Sequence, residues 1–141
     1  MQRKASATWQ GGLKDGKGSL TTGSRVLSAT PYSFGTRFEN GAGTNPEELI
    51  AAAHAGCFSM ALSMILGETG IRPERIDTTA TVTLEKTDAG FAITTVHLEV
   101  RVHAPGADHG KFETAAGKAK TGCPISKVLN ATITMNARLT T

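Results

Sequence analysis

Asn45-Pro46-Glu47-Glu48-Leu49-Ile50-Ala51-Ala52-Ala53-His54-Ala55-Gly56-Cys57-Phe58-Ser59-Met60-Ala61-Leu62-Ser63-Met64-Ile65-Leu66-Gly67-Glu68 is the segment on which the architecture turns. Asn45 is a good N-cap, Pro46 suits the first helical position, and Glu48, three residues after Asn45, makes a capping-box pattern. The sequence predicts one helix from Pro46 to about Glu68 or Thr69, stopped at Gly70. Apolar side chains occur on every side of it, so the helix is expected to be enclosed by protein, with its Ala and Gly positions allowing close approach by another helix. A membrane span is the competing reading, because no residue from Leu49 to Leu66 carries a formal charge. A span needs about 20 strongly apolar residues, usually with basic anchors. This stretch is rich in Ala and Gly, carries His54, Ser59 and Ser63, and is flanked by Glu47, Glu48 and Glu68 with no Lys or Arg nearby. The expectation is a buried helix of a soluble protein, with no membrane partner.

Upstream, Lys4 to Trp9 alternates Ala5, Ala7 and Trp9 with polar residues, a strand signal. Gly11-Gly12 and Asp15-Gly16 are turn chemistry, and Gly18 to Thr22 and Arg25 to Ala29 are candidate short strands. Thr30 to Thr44 contains Pro31, Gly35, Gly41 and Gly43 without periodicity. It is predicted to be a long loop of about 15 residues, a length that is often functional. Downstream, Thr79 to Glu85 sets Ala80, Val82 and Leu84 on one face, and Thr87-Asp88-Ala89-Gly90 turns the chain. In the return strand Phe91 and Ile93 change parity to Val96, Leu98, Val100 and Val102, which predicts a bulge near Thr94-Thr95. Asp108 caps a second helix ending near Thr121-Gly122, with Gly122 as its C-cap. Pro124 opens a short helix through Leu129, and Ile133, Met135, Ala137 and Leu139 alternate in a last strand. The class is α+β with antiparallel sheets.

The chain has 141 residues and a mass of 14.7 kDa, a length for one domain spanning 1–141. With 39% apolar and 19% charged residues it is of ordinary globular composition, which excludes a coiled coil, a collagen-like repeat and a wholly disordered chain. A net charge of +3, spread without a Lys/Arg block, gives no support to a nucleic-acid or membrane-surface partner. The N-terminus Met1-Gln2-Arg3-Lys4 is not followed by the apolar run of about 7–15 residues that an exported precursor needs. A cytoplasmic location is the expectation.

The chain has two cysteines. Cys57 lies in the middle of the long helix, and Cys123 stands in Thr121-Gly122-Cys123-Pro124. Neither belongs to a Cys-x-x-Cys motif, and a cytoplasmic address argues against a structural disulfide. Three readings remain open on the residues alone: two inert buried thiols, a redox pair, or a metal site. In the last, His54 and Cys57, one helical turn apart, would join Cys123 and His103 or His109.

Pro31-Tyr32-Ser33-Phe34-Gly35-Thr36-Arg37-Phe38-Glu39, Gly43-Thr44-Asn45-Pro46-Glu47-Glu48-Leu49-Ile50, Ala52-Ala53-His54-Ala55-Gly56-Cys57-Phe58-Ser59-Met60-Ala61-Leu62-Ser63 and Gly122-Cys123-Pro124 resemble the OsmC/Ohr family. The arginine in Thr-Arg-Phe-Glu matches its OsmC branch. The resemblance extends over nearly the whole chain, including Asp77-Thr78-Thr79-Ala80 and Asp88 to Thr94. It implies an intertwined homodimer whose sheets wrap central helices, with active sites at the subunit boundary. It also implies a peroxidase that reduces organic hydroperoxides to alcohols without a bound cofactor. Cys57 would be the peroxidatic cysteine, Cys123 the resolving one, and Arg37 and Glu47 the polar active-site pair. The usual electron donor of the family is dihydrolipoamide or a lipoylated protein. The alternative is a non-catalytic Cys/His metal-binding or apolar-ligand module.

The chemistry asks for such a cation. A free thiol with pKa about 8.5 is only a few per cent thiolate at pH 7, and burial raises that pKa. Cys57, mid-helix, gains nothing from its own helix's N-terminus. Arg37 on the long loop is the candidate cation, with a surface pair to Glu39 as its bland alternative. Glu47 is ten residues from Cys57, about 15 Å of helix, so it is expected to reach Cys57 of a partner subunit and to orient Arg37 by a bidentate pair. Phe34, Phe38, Met60 and Met64 are candidates to line an apolar substrate route.

Overall fold

A computed structural model describes residues 1–141. The chain folds into two compact units, Met1–Leu49 and Ile50–Thr141. In the first, β1 (Ala5–Gln10), β2 (Lys17–Thr22) and β3 (Thr30–Tyr32) form an antiparallel sheet in the order β1-β2-β3. The β1–β2 connection closes tightly on buried Gly16, where an added Cβ would stand 2.2 Å from the Gly12 carbonyl oxygen.

The predicted strand at Arg25–Ala29 is absent. Its backbone is captured by neighbouring hydroxyls instead: Leu27 N–H donates to Thr22 Oγ1 and Ala29 N–H to Thr21 Oγ1, at 3.1 and 2.9 Å. Such side chains compete with sheet ladders for the backbone, and Arg25 and Ala29 adopt positive φ of 64° and 48°. Nor is Thr30–Thr44 a plain loop. After β3 it forms α1 (Phe34–Phe38), too short to reveal periodicity but closed by a Ser33/Thr36 capping box.

The long helix, α2 (Pro46–Glu68), is found as expected. Glu48 N–H donates to Asn45 Oδ1 at 2.8 Å, while the Glu48 carboxylate takes the Thr44 hydroxyl, so only half of a capping box forms. At the other end Gly70 has φ +81°, and the N–H groups of Ile71 and Gly70 return to the carbonyls of Leu66 and Gly67. This pattern satisfies carbonyls the helix leaves open.

In the second unit, β4 (Arg75–Thr87) pairs antiparallel with β5 (Gly90–His103). Thr83 faces Thr95 and Leu84 faces Ile93, which leaves Thr94 as the bulge. The sequence expectation of purely antiparallel sheets is corrected at β6 (Thr132–Thr140), which runs parallel to β5. The helices α3 (His109–Gly122) and α4 (Pro124–Val128) carry the chain back before β6 begins, the long crossover that a parallel pair requires. Asp108 caps α3 by accepting from Lys111 N–H at 2.8 Å. The C-cap of α3 is Cys123 and not Gly122, and Cys123 is also the N-cap of α4.

Phe58, Leu62 and Leu66 of α2, Val96, Leu98, Val100 and Val102 of β5, and Phe112, Ala115, Ala116 and Ala119 of α3 form one buried core. The enclosure expected for α2 is therefore only partial within one chain. The stripe His54, Phe58, Leu62 and Leu66 is covered, while Met60 and Met64 are 78% and 62% exposed. One sheet and one neighbouring helix reach only one side of a cylinder, and the other apolar side stays open.

Candidate active site

Two clusters hold the four catalytic candidates, Cys57 with Cys123 and Arg37 with Glu47. In the second unit, Sγ of Cys123 lies 2.8 Å from Sγ of Cys57, although 66 residues separate them. Both are free thiols; Cys57 is half-buried and Cys123 fully buried. Local structure explains the meeting. Phe58 and Leu62 fix the rotation of α2 by entering the core, and Cys57 precedes Phe58 on that turn. Cys123 is held at the junction of two helices, its N–H on the Ala119 carbonyl and its own carbonyl accepting from Lys127.

Burial pushes the Cys57 thiol above its ordinary pKa, and the Cys123 contact pushes in the same direction. The backbone N–H of Ile125, in the first turn of α4, acts the other way by favouring the thiolate. That contribution was not read from the sequence; the only signal for it was Pro124 opening a helix directly after Cys123. The net direction is upward, so this unit by itself does not ionise Cys57.

His54 is fully buried one turn before Cys57, and its Nε2 is 2.7 Å from Ser126 Oγ. Burial holds its pKa below the ordinary value, so the ring is neutral near pH 7. The metal reading needed this histidine beside both sulfurs with His103 or His109. Instead His103 lies on β5 against Thr140 and Glu74, and no group of three His, Cys, Asp or Glu side chains is arranged to hold a metal ion.

In the first unit, Arg37 sits on α1 and pairs with Glu47 in the first turn of α2, not with Glu39. Nε and Nη2 both donate to one oxygen, Oε1, at 3.0 and 2.8 Å. The expected two-oxygen fork is thus replaced by convergence on a single oxygen, because Oε2 is turned inward, buried and without a hydrogen-bond partner. Asn45, which caps α2 through Oδ1, also donates through Nδ2 to the Thr36 carbonyl, tying α1 to the start of α2. Arg37 further stacks over the Phe38 ring, 5.2 Å from its centroid.

A cavity of about 220 Å³ opens beside this pair, lined by Trp9, Leu13, Tyr32, Phe34, Arg37 and Phe38 among others. Phe34 and Phe38, 4.9 Å apart between ring centroids, are two of its walls. Met60 and Met64 are not; they lie on the open side of α2. Trp9, Leu13 and Tyr32 were missed as lining because they come from strands and a turn whose association is tertiary.

A free thiol on a long helix, met by a second thiol at a helix junction, with a separate guanidinium–carboxylate pair, makes this an α+β protein of the paired-thiol class. A family model described as OsmC-like protein matches residues 39–138. The chain is 55% identical to Peroxiredoxin OsmC of Escherichia coli strain K12 over 139 residues, covering 99% of this chain and 97% of that protein. It is 30% identical to the Organic hydroperoxide resistance protein of Xanthomonas axonopodis pv. citri, covering 96% and 92%. The solved structure of the Organic Hydroperoxide Resistance Protein OhrB of Bacillus subtilis superposes with a TM-score of 0.69 at 26% identity, covering 96% of this chain and 98% of that one. The chain belongs to the OsmC-like family.

Proposed function

We infer that this protein is a thiol-dependent peroxidase that reduces organic hydroperoxides to alcohols. The observation that carries the reading is the 2.8 Å approach of two free thiols, one of them half-exposed. The names of its relatives, a peroxiredoxin and organic hydroperoxide resistance proteins, support it.

The cycle has three balanced steps. Cys57 thiolate attacks the distal peroxide oxygen; the O–O bond breaks, the alkoxide takes a proton and leaves as alcohol, and Cys57 becomes a sulfenic acid. Cys123 attacks that sulfur, forming the disulfide and releasing water. A dithiol donor of the dihydrolipoyl type then reduces the disulfide by exchange. No bound cofactor enters.

Arg37 supplies the positive charge that stabilises the thiolate and the developing alkoxide, and Glu47 aims it. Ten helical residues, about 15 Å, separate Glu47 from Cys57 along α2, so the pair serves the thiol of a second copy in a homodimer. The uncharged, exposed Met60 and Met64 face of α2 supports that assembly. The aromatic cavity beside Arg37 takes the alkyl or aryl part of the hydroperoxide. A cytoplasmic location suits a site whose disulfide must be re-reduced.

Intact mass before and after one equivalent of cumene hydroperoxide tests the cycle. Loss of two hydrogens with no retained oxygen is expected, and Cys57→Ser is expected to abolish peroxide consumption. Full turnover by that variant with dihydrolipoamide overturns the reading.

A further inference from the structure

Besides the Ile125 N–H on Cys57, two side-chain contacts join α2 to the junction that carries Cys123, and only one of these two is chemistry. The sulfurs touch at 2.8 Å, and one helical turn away His54 Nε2 meets Ser126 Oγ at 2.7 Å. The pairing steps one turn back along α2, from Cys57 to His54, for one turn forward from Cys123 to Ser126. None of the five residues of α4 is buried, and Val128 is 73% exposed. Within its own five residues the short helix offers no buried apolar side chain, and core packing reaches it only at its caps, Cys123 and Leu129. The other ring nitrogen of His54, Nδ1, is buried without a partner, so Ser126 is the one hydrogen bond that accounts for a fully buried imidazole.

We propose that His54, acting through Ser126, is a positioning residue for disulfide closure, holding Cys123 against Cys57 after Cys57 has been oxidised. Oxidation consumes the sulfur contact, because the incoming oxygen occupies space beside Cys57 Sγ. The His54–Ser126 bond is untouched by that event and keeps the Cys123 junction seated on α2. Closure then breaks the S–O bond of Cys57, forms the S–S bond, and releases the hydroxyl with the Cys123 proton as water. Closure competes with attack by a second hydroperoxide, which gives sulfinic acid and ends the cycle. A clasp that shortens the lifetime of the sulfenic acid protects the enzyme from its own substrate. The inference rests on the peroxidase reading above and assigns it a residue pair.

The test is a partition measurement on the full-length protein. Reduced protein receives one equivalent of cumene hydroperoxide with dimedone present, and mass spectrometry compares dimedone-captured Cys57 with Cys57–Cys123 disulfide. Ser126→Ala removes one hydroxyl at a half-buried position, whereas His54→Gln alters a fully buried one, so the serine variant carries the test if the histidine variant does not fold. Loss of one hydrogen bond is expected to raise the captured-to-disulfide ratio about tenfold in Ser126→Ala. Ser126→Thr, which keeps the hydroxyl, is expected to restore the native ratio. A native ratio in Ser126→Ala, or no rescue by Ser126→Thr, overturns the proposal. Wild-type protein that forms neither the adduct nor the disulfide overturns the peroxidase reading instead.

Discussion

Both donated hydrogen bonds of Arg37 end on a single oxygen of Glu47, Oε1, and leave Oε2 buried with no partner. A guanidinium held in this way is fixed in direction, yet three of its five N–H groups remain for another acceptor. Peroxide chemistry needs such a donor, because the thiolate and the departing alkoxide are both anionic.

Removing the guanidinium is therefore expected to cost reactivity more than stability. A cation brought to about 4 Å at an effective dielectric near 20 is worth up to ~4 kcal/mol, and half of that moves a thiol by more than one pKa unit. Arg37→Ala is expected to lower the second-order rate of Cys57 oxidation by cumene hydroperoxide about 10- to 100-fold. It should also move the pH profile of Cys57 alkylation to higher pH. Glu47→Gln, which keeps the guanidinium but loosens its aim, is expected to fall between wild type and Arg37→Ala. Stopped-flow oxidation rates and iodoacetamide labelling across pH 6–10 check both, and an unshifted alkylation profile in Arg37→Ala removes the arginine from its assigned role.

Stability is expected to fall on acidification through His54. Its folded pKa lies below the ordinary value because the ring is buried. The unfolded chain therefore takes up a proton near pH 6.5 before the folded protein does. Stability is fully present above about pH 6.5 and declines as pH drops toward the lower folded value, by at most about 1.4 kcal/mol per pH unit. Urea unfolding at pH 7.5, 6.5 and 5.5 measures the slope. His54→Gln is expected to flatten it, and an identical slope in that variant places the titration elsewhere.

Phe58 tests the core that rotates Cys57 into place. It is fully buried among residues of α2, α3 and β5, and Phe58→Ala is expected to cost about 3–5 kcal/mol. Because the adjacent cysteine depends on that anchor, the same substitution is expected to slow disulfide closure even under conditions where the protein remains folded. Denaturant titration and the rate of thiol loss after peroxide separate the two effects.

Met60 reports on the open side of α2. It is 78% exposed and lies outside the buried core. Met60→Lys is expected to leave the unfolding free energy of the isolated chain within about 0.5 kcal/mol. It is expected to shift the proposed homodimer toward monomer in sedimentation, and a dimer of unchanged affinity places the interface on another surface.

The ends of the long helix could be read without a structure because caps act within a few residues. Asn45, Pro46 and Gly70 state them by spacing alone. The bulge at Thr94 was legible for the same reason, since a change of parity along one strand is a local event. The cysteine pair was different. Spacing left inert thiols, a redox pair and a metal site all open, and family resemblance singled out the redox pair. Contacts between distant segments depend on which faces are buried together, and that packing placed the sulfurs 2.8 Å apart and His54 on Ser126. It also ran β6 parallel to β5, turned both donors of Arg37 onto one carboxylate oxygen, and left half of an evenly apolar helix uncovered. Periodicity records how apolar a helix face is, but the neighbours available to cover it are a property of the folded chain and its partners.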